Sequence, residues 1–357
     1  MDHGLGEKIM KEKDDGKKQP GLILAMLGVV LLAVFLVSFS LGRYGVPPRQ
    51  VVRILISRLL SAIVPGGGLL QTWTTEMETV VINIRLPRIV MACLVGCSLS
   101  AAGAAYQGVF QNPMASPDIL GASSGAAFGA ALAILWGAST SGITTFAFLF
   151  SLITVLLVFL IARRAPGLRV VNLILAGIMV SSLFSAGTSY IKLVADPTNQ
   201  LPQITYWLMG SLSGTRLADI PHAFLPMILG LLPLFLLRWQ INLLSLGDQE
   251  AHTLGVNTDL VRLVLILGST LVTAASVSFS GMIGWVGLVI PHLCRRLVGS
   301  DYRYLMPGSF LAGAAFLLLV DDVSRNLLAV EIPIGILTAF IGAPFFLYLI
   351  TRKEKAL

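Results

Sequence analysis

The chain has 357 residues, 55% of them hydrophobic and 12% charged, with a formal charge of +7. Soluble domains carry about 25% charged residues, so this composition excludes an ordinary soluble enzyme and points to one membrane domain. The excess positive charge lies mostly at the ends of apolar runs, where membrane anchors sit, which argues against a nucleic-acid partner.

Residues 1–20 are polar and mixed in charge, and are expected to form a disordered cytoplasmic tail. The first apolar run, Leu22 to Leu41, is too long and wrongly flanked for a cleaved signal peptide, so it counts as a retained helix. From there an all-α, polytopic membrane domain over 21–351 is expected, ending in a short cytoplasmic tail at 352–357. Ten spans account for the pattern: roughly 21–41, 83–108, 118–137, 143–162, 170–193, 219–238, 259–280, 283–298, 305–323 and 332–351. The eighth is short and broken by Pro291. Ten spans put both termini on one side. With that side cytoplasmic, fifteen of the 25 Lys and Arg residues lie inside and nine outside, Arg262 falling within a span. The positive-inside rule favours this topology in the cell (cytoplasmic) membrane.

Six of the outside arginines fall between Arg43 and Arg88 and ask for a separate reason. Part of this region, 47–64, is amphipathic. Val51, Ile54, Leu55 and Leu59 recur at helical spacing opposite Arg49, Arg53 and Arg58. It suits either a helix along the outer membrane surface or a solvated connector.

The second and third spans are rich in small residues. Gly121, Gly125 and Gly129 recur every four positions, as do Gly96, Ser100, Ala104 and Gly108. In lipid such faces allow close backbone packing, so these are packing positions and not a ligand site. Asn112-Pro113 and Pro117-Asp118 break the helix between them, and Asp118 is placed to cap the next one.

The largest inner loop, 240–257, reads INLLSLGDQEAHTLGVN after the sixth span. Ser245 and Asp248 are placed to cap a short helix, Leu246, Ala251 and Leu254 give it an apolar side, and Gly255 ends it. A docking helix and a capped surface turn both fit. Further on, His292 lies near the inner end of its span with Arg295 and Arg296, so it suits a structural or partner contact better than a substrate ligand. Asp321 and Arg325 are four apart, close enough to pair locally.

No P-loop is present: the only Gly-Lys pair, Gly16-Lys17, is followed by Lys18 where Ser or Thr is needed. The four histidines form no zinc motif, and the three cysteines lie in apolar runs as small buried hydrophobes. No catalytic residue, metal site or bound cofactor is expected in this chain.

Several blocks recur in order from Leu22 to Ile350: RLPR before two small-residue helices, NPMASPD, SFSGMIGWVGLVIPHLCRRLVGSDYRYLMPGS, DDVSR and EIPIGILTAFIGAPFFLYLI. Together they resemble the FecCD-type permeases of ABC importers for iron–siderophore, haem and cobalamin. The resemblance implies a type II importer permease of about ten spans, paired with a second copy or a paralogue. It also implies two cytoplasmic ATPases that bind ATP–Mg and an extracytoplasmic substrate-binding protein. Carried over by position, Arg85, Arg88 and Arg325 would face outward and meet acidic residues of that protein; the bland alternative is arginines snorkelling to phosphate. Leu246, Gly247, Asp248, Glu250, Ala251, Leu254, Gly255 and Val256 would form the coupling helix that sits on the ATPase. Asp322 departs from the family pattern and is expected to alter the charge a partner meets. The 196–214 stretch resembles a short helix at the outer pore mouth. Pore lining by the fifth and tenth spans is likewise implied by the resemblance alone. Iron–siderophore is the first cargo expected. The alternative, an ion-coupled secondary transporter, would need acidic residues near the bilayer midplane, and the sequence places almost none there.

Overall fold

The computed structural model describes residues 19–63, 71–166 and 169–351, and in them every regular element is helical. Of the expected tails, 1–20 and 352–357, residues 1–18 and 352–357 lie outside the described residues, as does residue 64 of the amphipathic segment, and Pro20 already begins a helix. In chain order the helices are α1 Pro20–Ser38, α2 Pro48–Ile63, α3 Leu86–Val109, α4 Ala122–Leu135, α5 Thr140–Arg164, α6 Arg169–Val194 and α7 Gln200–Leu208. They continue with α8 Asp219–Leu236, α9 Arg238–Leu244, α10 Asp248–Thr253, α11 Thr258–Ser280, α12 Val286–Val298, α13 Tyr302–Asn326 and α14 Ile334–Thr351.

Among the described residues, seven helical stretches are long and apolar enough to cross a membrane. The other three expected spans correspond to α4, α12 and α14. Helices α4 and α12 have 14 and 13 residues, only about 20 Å at 1.5 Å per residue, short of a ~30 Å hydrocarbon layer. Non-helical backbone makes up the difference. A 3₁₀ turn, Pro117–Leu120, leads into α4, and an irregular stretch through Gly281 and Gly284 leads into α12. Trp285, at the head of α12, holds φ 70, a left-handed conformation rare for a bulky residue. Such backbone survives at membrane depth where protein encloses it.

Helix α3 is the centre of the bundle and is buried along nearly its whole length, with α8, α11, α12 and α13 packed around it. The reason is its small residues. A Cβ on Gly96 would collide with the Gly313 carbonyl of α13, and one on Gly103 with the Gly287 carbonyl of α12. Ser100 adds a hydrogen bond, Oγ to the Ser309 carbonyl at 2.7 Å. Burial of apolar surface does not drive helices together in lipid, so this close approach and its dispersion contacts supply the cohesion. Helices α4, α5 and α6 form a second group, joined where Gly125 and Gly129 lie against the Phe150 and Phe146 carbonyls of α5. Gly121 is not within that groove but is the left-handed cap (φ 77) that starts α4. Asp118 does not cap α4 through its backbone; its carboxylate accepts the Ser123 hydroxyl instead.

The periphery is apolar and exposed. Helix α1 packs on α13 by one side and leaves Leu22, Met26, Val29 and Leu32 open, as a lipid-facing helix does. Helix α2 seats Val51 and Ile54 on the protein, while Leu59, expected on the same side, is 63% exposed. The cause is angular: Val52, Ile56, Leu59 and Ile63 form a second stripe opposite the seated one.

Candidate functional site

Three regions collect the residues singled out by sequence: the ends of α3 and α13 on the face expected outside, the segment α9–α10 on the face expected inside, and the outward faces of α6 and α14.

At the outer end, the chain enters α3 through Thr75–Thr79 and a π-helical turn, Val80–Arg85. Arg85 points back into the protein and donates to the carbonyls of Phe39 and Tyr44, closing the loop after α1. Arg88 grips Asp321 of α13 (Nε–Oδ1 2.9 Å) and Glu331 (Nη1–Oε1 2.9 Å). Arg325 pairs with Asp322, lies 3.7 Å from Asp321, and donates to the Ser38 carbonyl at 3.0 Å. Ser38 returns its hydroxyl to Asp322. Two cations, Arg88 and Arg325, and three carboxylates thus form one network that ties α1, α3, α13 and the segment before α14, while Arg85 beside it bonds backbone carbonyls.

This corrects the expected surface. Arg85, Arg88 and Arg325 are 3%, 7% and 7% exposed, so they are enclosed and satisfied inside the chain and do not stand free for a partner. A buried charge must be paired or hydrogen-bonded: Asp321, Asp322 and Glu331 pair with Arg88 and Arg325, and the Phe39 and Tyr44 carbonyls hold Arg85. The local Asp321–Arg325 pair is the loosest contact of the set. Asp322 does not modify an external charge either; it is buried against Ser38 and Arg325. What faces outward above the network is the half-exposed Glu331, the exposed Arg43, and the turn carrying Leu327, Leu328 and Val330. Arg43 donates to the Leu328 carbonyl, and Ser324 to that of Ile332, so this turn is fixed in place.

At the inner end, α9 leads through Ser245, Leu246 and Gly247 into the six-residue α10. The caps differ from expectation. Gly247, at φ 119, is the N-cap, and the Ser245 hydroxyl bonds back to the Asn242 carbonyl. Asp248 is the first residue of the helix. The other end closes as expected at Gly255 (φ 82): its N–H bonds the His252 carbonyl, and that of Val256 the Ala251 carbonyl, a Schellman arrangement. Ala251 is buried as the anchor, Val256 is half-buried, and Glu250, Leu246 and Leu254 are exposed, the two leucines at 59% and 58%. A rigid turn carrying two open leucines is an apolar contact surface rimmed by polar groups.

On the flank, α6 and α14 leave broad faces uncovered by the chain. Leu175, Ile178, Met179, Ser182 and Ser185 are exposed on α6, and Phe340, Ile341 and Leu347 on α14. Ser182 and Ser189 of α6 donate their hydroxyls to carbonyls one turn back, which lowers the free polarity of this face. An open apolar groove of about 540 Å³ runs along α14 between Met209, Met282, Ala339 and Phe340. Deeper in the chain on the outer side, a cleft of about 650 Å³ between α5, α7, α8 and α11 is lined by Tyr206, Trp207, His222 and many hydroxyls. Its Thr215 and His222 bond their own backbone turns. Near the inner end of α12, His292 faces the Phe345 ring of α14 edge-on. Among the described residues no cluster of His, Cys, Asp or Glu is arranged to hold a metal ion.

Sequence spacing missed Ser38, Glu331, Asn242 and Gln111, each of which acts across the fold; Ser38 meets Asp322 from 284 positions away. No local pattern marks such a pair.

Comparison with known proteins supplies the context for these features. Residues 30–352 match the model of the FecCD transport family, so the chain belongs to that family. It is 39% identical to the molybdate import system permease protein MolB of Haemophilus influenzae, over 93% of this chain and 96% of that one. It is 40% identical to the cobalamin import system permease protein BtuC of Halobacterium salinarum, over 92% and 96%. A solved structure described as a metal-chelate type ABC transporter in an inward-facing conformation superposes with a TM-score of 0.80 at 40% identity, covering 92% of this chain and 99% of that one. The protein is a multi-pass membrane permease of the ABC importer class, with the all-helical fold of that class.

Proposed function

We propose that the chain lines the translocation pathway of an importer, together with a second permease that is either its own copy or a paralogue. Two cytoplasmic ATPases hydrolyse ATP–Mg, and an extracytoplasmic binding protein delivers the cargo. Both termini are cytoplasmic in this reading, supported by the Lys and Arg distribution. The observation that carries it is α10: a short helix fixed by Ala251 and a Schellman cap, offering Leu246 and Leu254 to a partner. The exposed faces of α6 and α14 are the surfaces that a second permease and the pathway between the two would use.

In the working cycle, closure of the ATPases displaces α10, and the pathway opens alternately to the two sides. Arg85, Arg88 and Arg325 serve the outer dock indirectly. Their contacts hold the 39–44 loop and the 327–331 turn in register, and these present Arg43, Glu331 and the open leucines to the binding protein. Chelated iron, as an iron–siderophore, is the proposed cargo, with haem or cobalamin as alternatives. The relatives named for molybdate and for cobalamin indicate that this scaffold alone does not set cargo.

The test is co-purification with candidate ATPases, followed by uptake into vesicles. Uptake that needs ATP and stops with vanadate is the expected result. Uptake that persists without ATP and collapses with a proton or sodium gradient would establish a secondary transporter instead.

A further inference from the structure

Beside the exposed surface of α10, its supporting helix α9 makes contacts that the docking role does not require. Asn242 uses both halves of its amide on the first turn of α13. Its Nδ2 donates to Asp301 Oδ1 at 2.8 Å, and its Oδ1 accepts the Tyr302 N–H at 2.9 Å. Asp301 is the N-cap of α13 and is held in turn by the Arg303 guanidinium at 2.7 Å. From the other side Gln111, just past α3, donates Nε2 to the Leu244 carbonyl at 2.6 Å, the last residue of α9. The Gln111 backbone sits at φ 49, a left-handed conformation that costs ~1–3 kcal/mol outside glycine and persists only where the surroundings impose it. Between the two contacts lies Gly108 of α3, where a Cβ would collide with Ile241 and reach the Tyr302 hydroxyl. Helices α3, α9 and α13 therefore meet at one tight junction, three residues upstream of α10.

The two helices gripped there also carry the outer network. Helices α3 and α13 are joined by backbone contact at Gly96 and Gly313 and by Arg88 to Asp321 at 2.9 Å at the far end. We propose that Asn242 is a positioning residue of the import cycle, which forces α13 to follow any displacement of α10, while Gln111 makes α3 follow. A pair of bonds through one amide is directional: turning α9 relative to α13 breaks both, whereas apolar packing would let the helices slip. The nucleotide state at the inner face then reaches the outer dock. This inference rests on the coupling role proposed for α10.

The experiment uses the full permease assembled with its ATPases in nanodiscs. Spin labels go on Leu193→Cys and Leu327→Cys, both exposed at the outer side, with Cys93, Cys97 and Cys294 replaced by Ala. The distance distribution is recorded by pulsed electron resonance without nucleotide and with ATP–Mg plus vanadate, alongside ATPase rate. In Asn242→Asp the donor is lost and a second carboxylate faces Asp301. The nucleotide-shifted population falls at least about fivefold, the low end of typical coupling, while vanadate-sensitive ATPase activity persists. Adding Asp301→Ser keeps a cap oxygen for the Arg303 N–H, turns its hydroxyl to the new carboxylate at position 242, leaves an oxygen for the Tyr302 N–H, and restores the shift. A full shift in Asn242→Asp overturns the proposal. If that single variant does not assemble, the double variant decides: assembly regained without the nucleotide-dependent shift also overturns it. A parent complex that neither binds ATPase nor shifts with nucleotide would instead overturn the coupling role of α10, and this inference with it.

Discussion

Replacing Arg88 with Met removes the centre of the outer network while keeping its apolar stem. Arg88 is 9% exposed at its side chain and Asp321 0%, so the variant strands a carboxylate with no water in reach. The nearest remaining cation is Arg325, whose Nε lies 3.7 Å away and is already committed to Asp322 through its other nitrogen. Glu331 matters less, since its side chain is 30% exposed and can turn to solvent. Breaking a buried pair from one side costs ~3–5 kcal/mol, and partial rescue by Arg325 lowers the expected loss to ~2–4 kcal/mol. Arg88→Met with Asp321→Leu removes both partners and recovers most of that loss, because well-packed apolar pairs replace buried ion pairs at little cost. The assay is reversible unfolding in mixed micelles, with affinity for the binding protein measured on the same preparations. A stability loss under ~0.5 kcal/mol accompanied by lost partner binding would refute the reasoning. It would mean that Arg88 reaches outward after all.

Ser38→Ala leaves Asp322 without its hydroxyl donor and is expected to lower stability by ~1–3 kcal/mol in the same unfolding assay. Gly103→Val drives a side chain into the Gly287 backbone and is expected to cost at least ~3 kcal/mol, read as loss of monodisperse protein on size exclusion. Leu246→Asp with Leu254→Asp should leave unfolding unchanged and weaken ATPase co-purification at least about tenfold, as apolar interface anchors do. The Arg303 side chain, bonded to Asp301, holds that carboxyl below its ordinary value, so its folded pKa lies under its unfolded one. Its contribution is therefore complete above the usual carboxylate range, near pH 4, and is lost as pH falls through the folded value. The stability difference between the parent and Asp301→Asn should accordingly stay constant from neutral pH to about 5 and shrink only below that.

The spans and their order were legible because hydropathy and small-residue spacing are local properties of the chain. Gly125 and Gly129 announced a packing groove four residues apart, and α5 fills it. Gly255 ended α10 where a left-handed residue was needed. The fate of the arginines was not legible. RLPR and DDVSR are far apart in sequence, and nothing in either shows that Asp321 would meet Arg88 and leave it enclosed. The extra Asp322 looked like an external charge because Ser38, which meets it beside the local Arg325, belongs to the first helix. Capping failed similarly at α10: Ser245 and Asp248 both have cap chemistry, yet Gly247 takes the position because its φ of 119 suits few other residues. Membrane length was a weaker guide at α4 and α12, where irregular backbone completes the crossing.

The seam between α3 and α13 has a mechanical consequence. Where two helices meet through side chains, alternative rotamers give the joint several resting positions and absorb small displacements. At Gly96 and Gly313 carbonyls sit against the opposite backbone, bordered by the Cβ atoms of Leu317 and Ser100, so little there can rearrange. The pair therefore behaves as a single beam about 37 Å long, given the 25 residues of α13 at 1.5 Å each. A beam of that length, tilted by only ~3° about its middle, carries its two ends ~1 Å in opposite directions. Opening on one side and closing on the other would then be one movement, and the glycines would be what makes the geometry stiff enough to impose it.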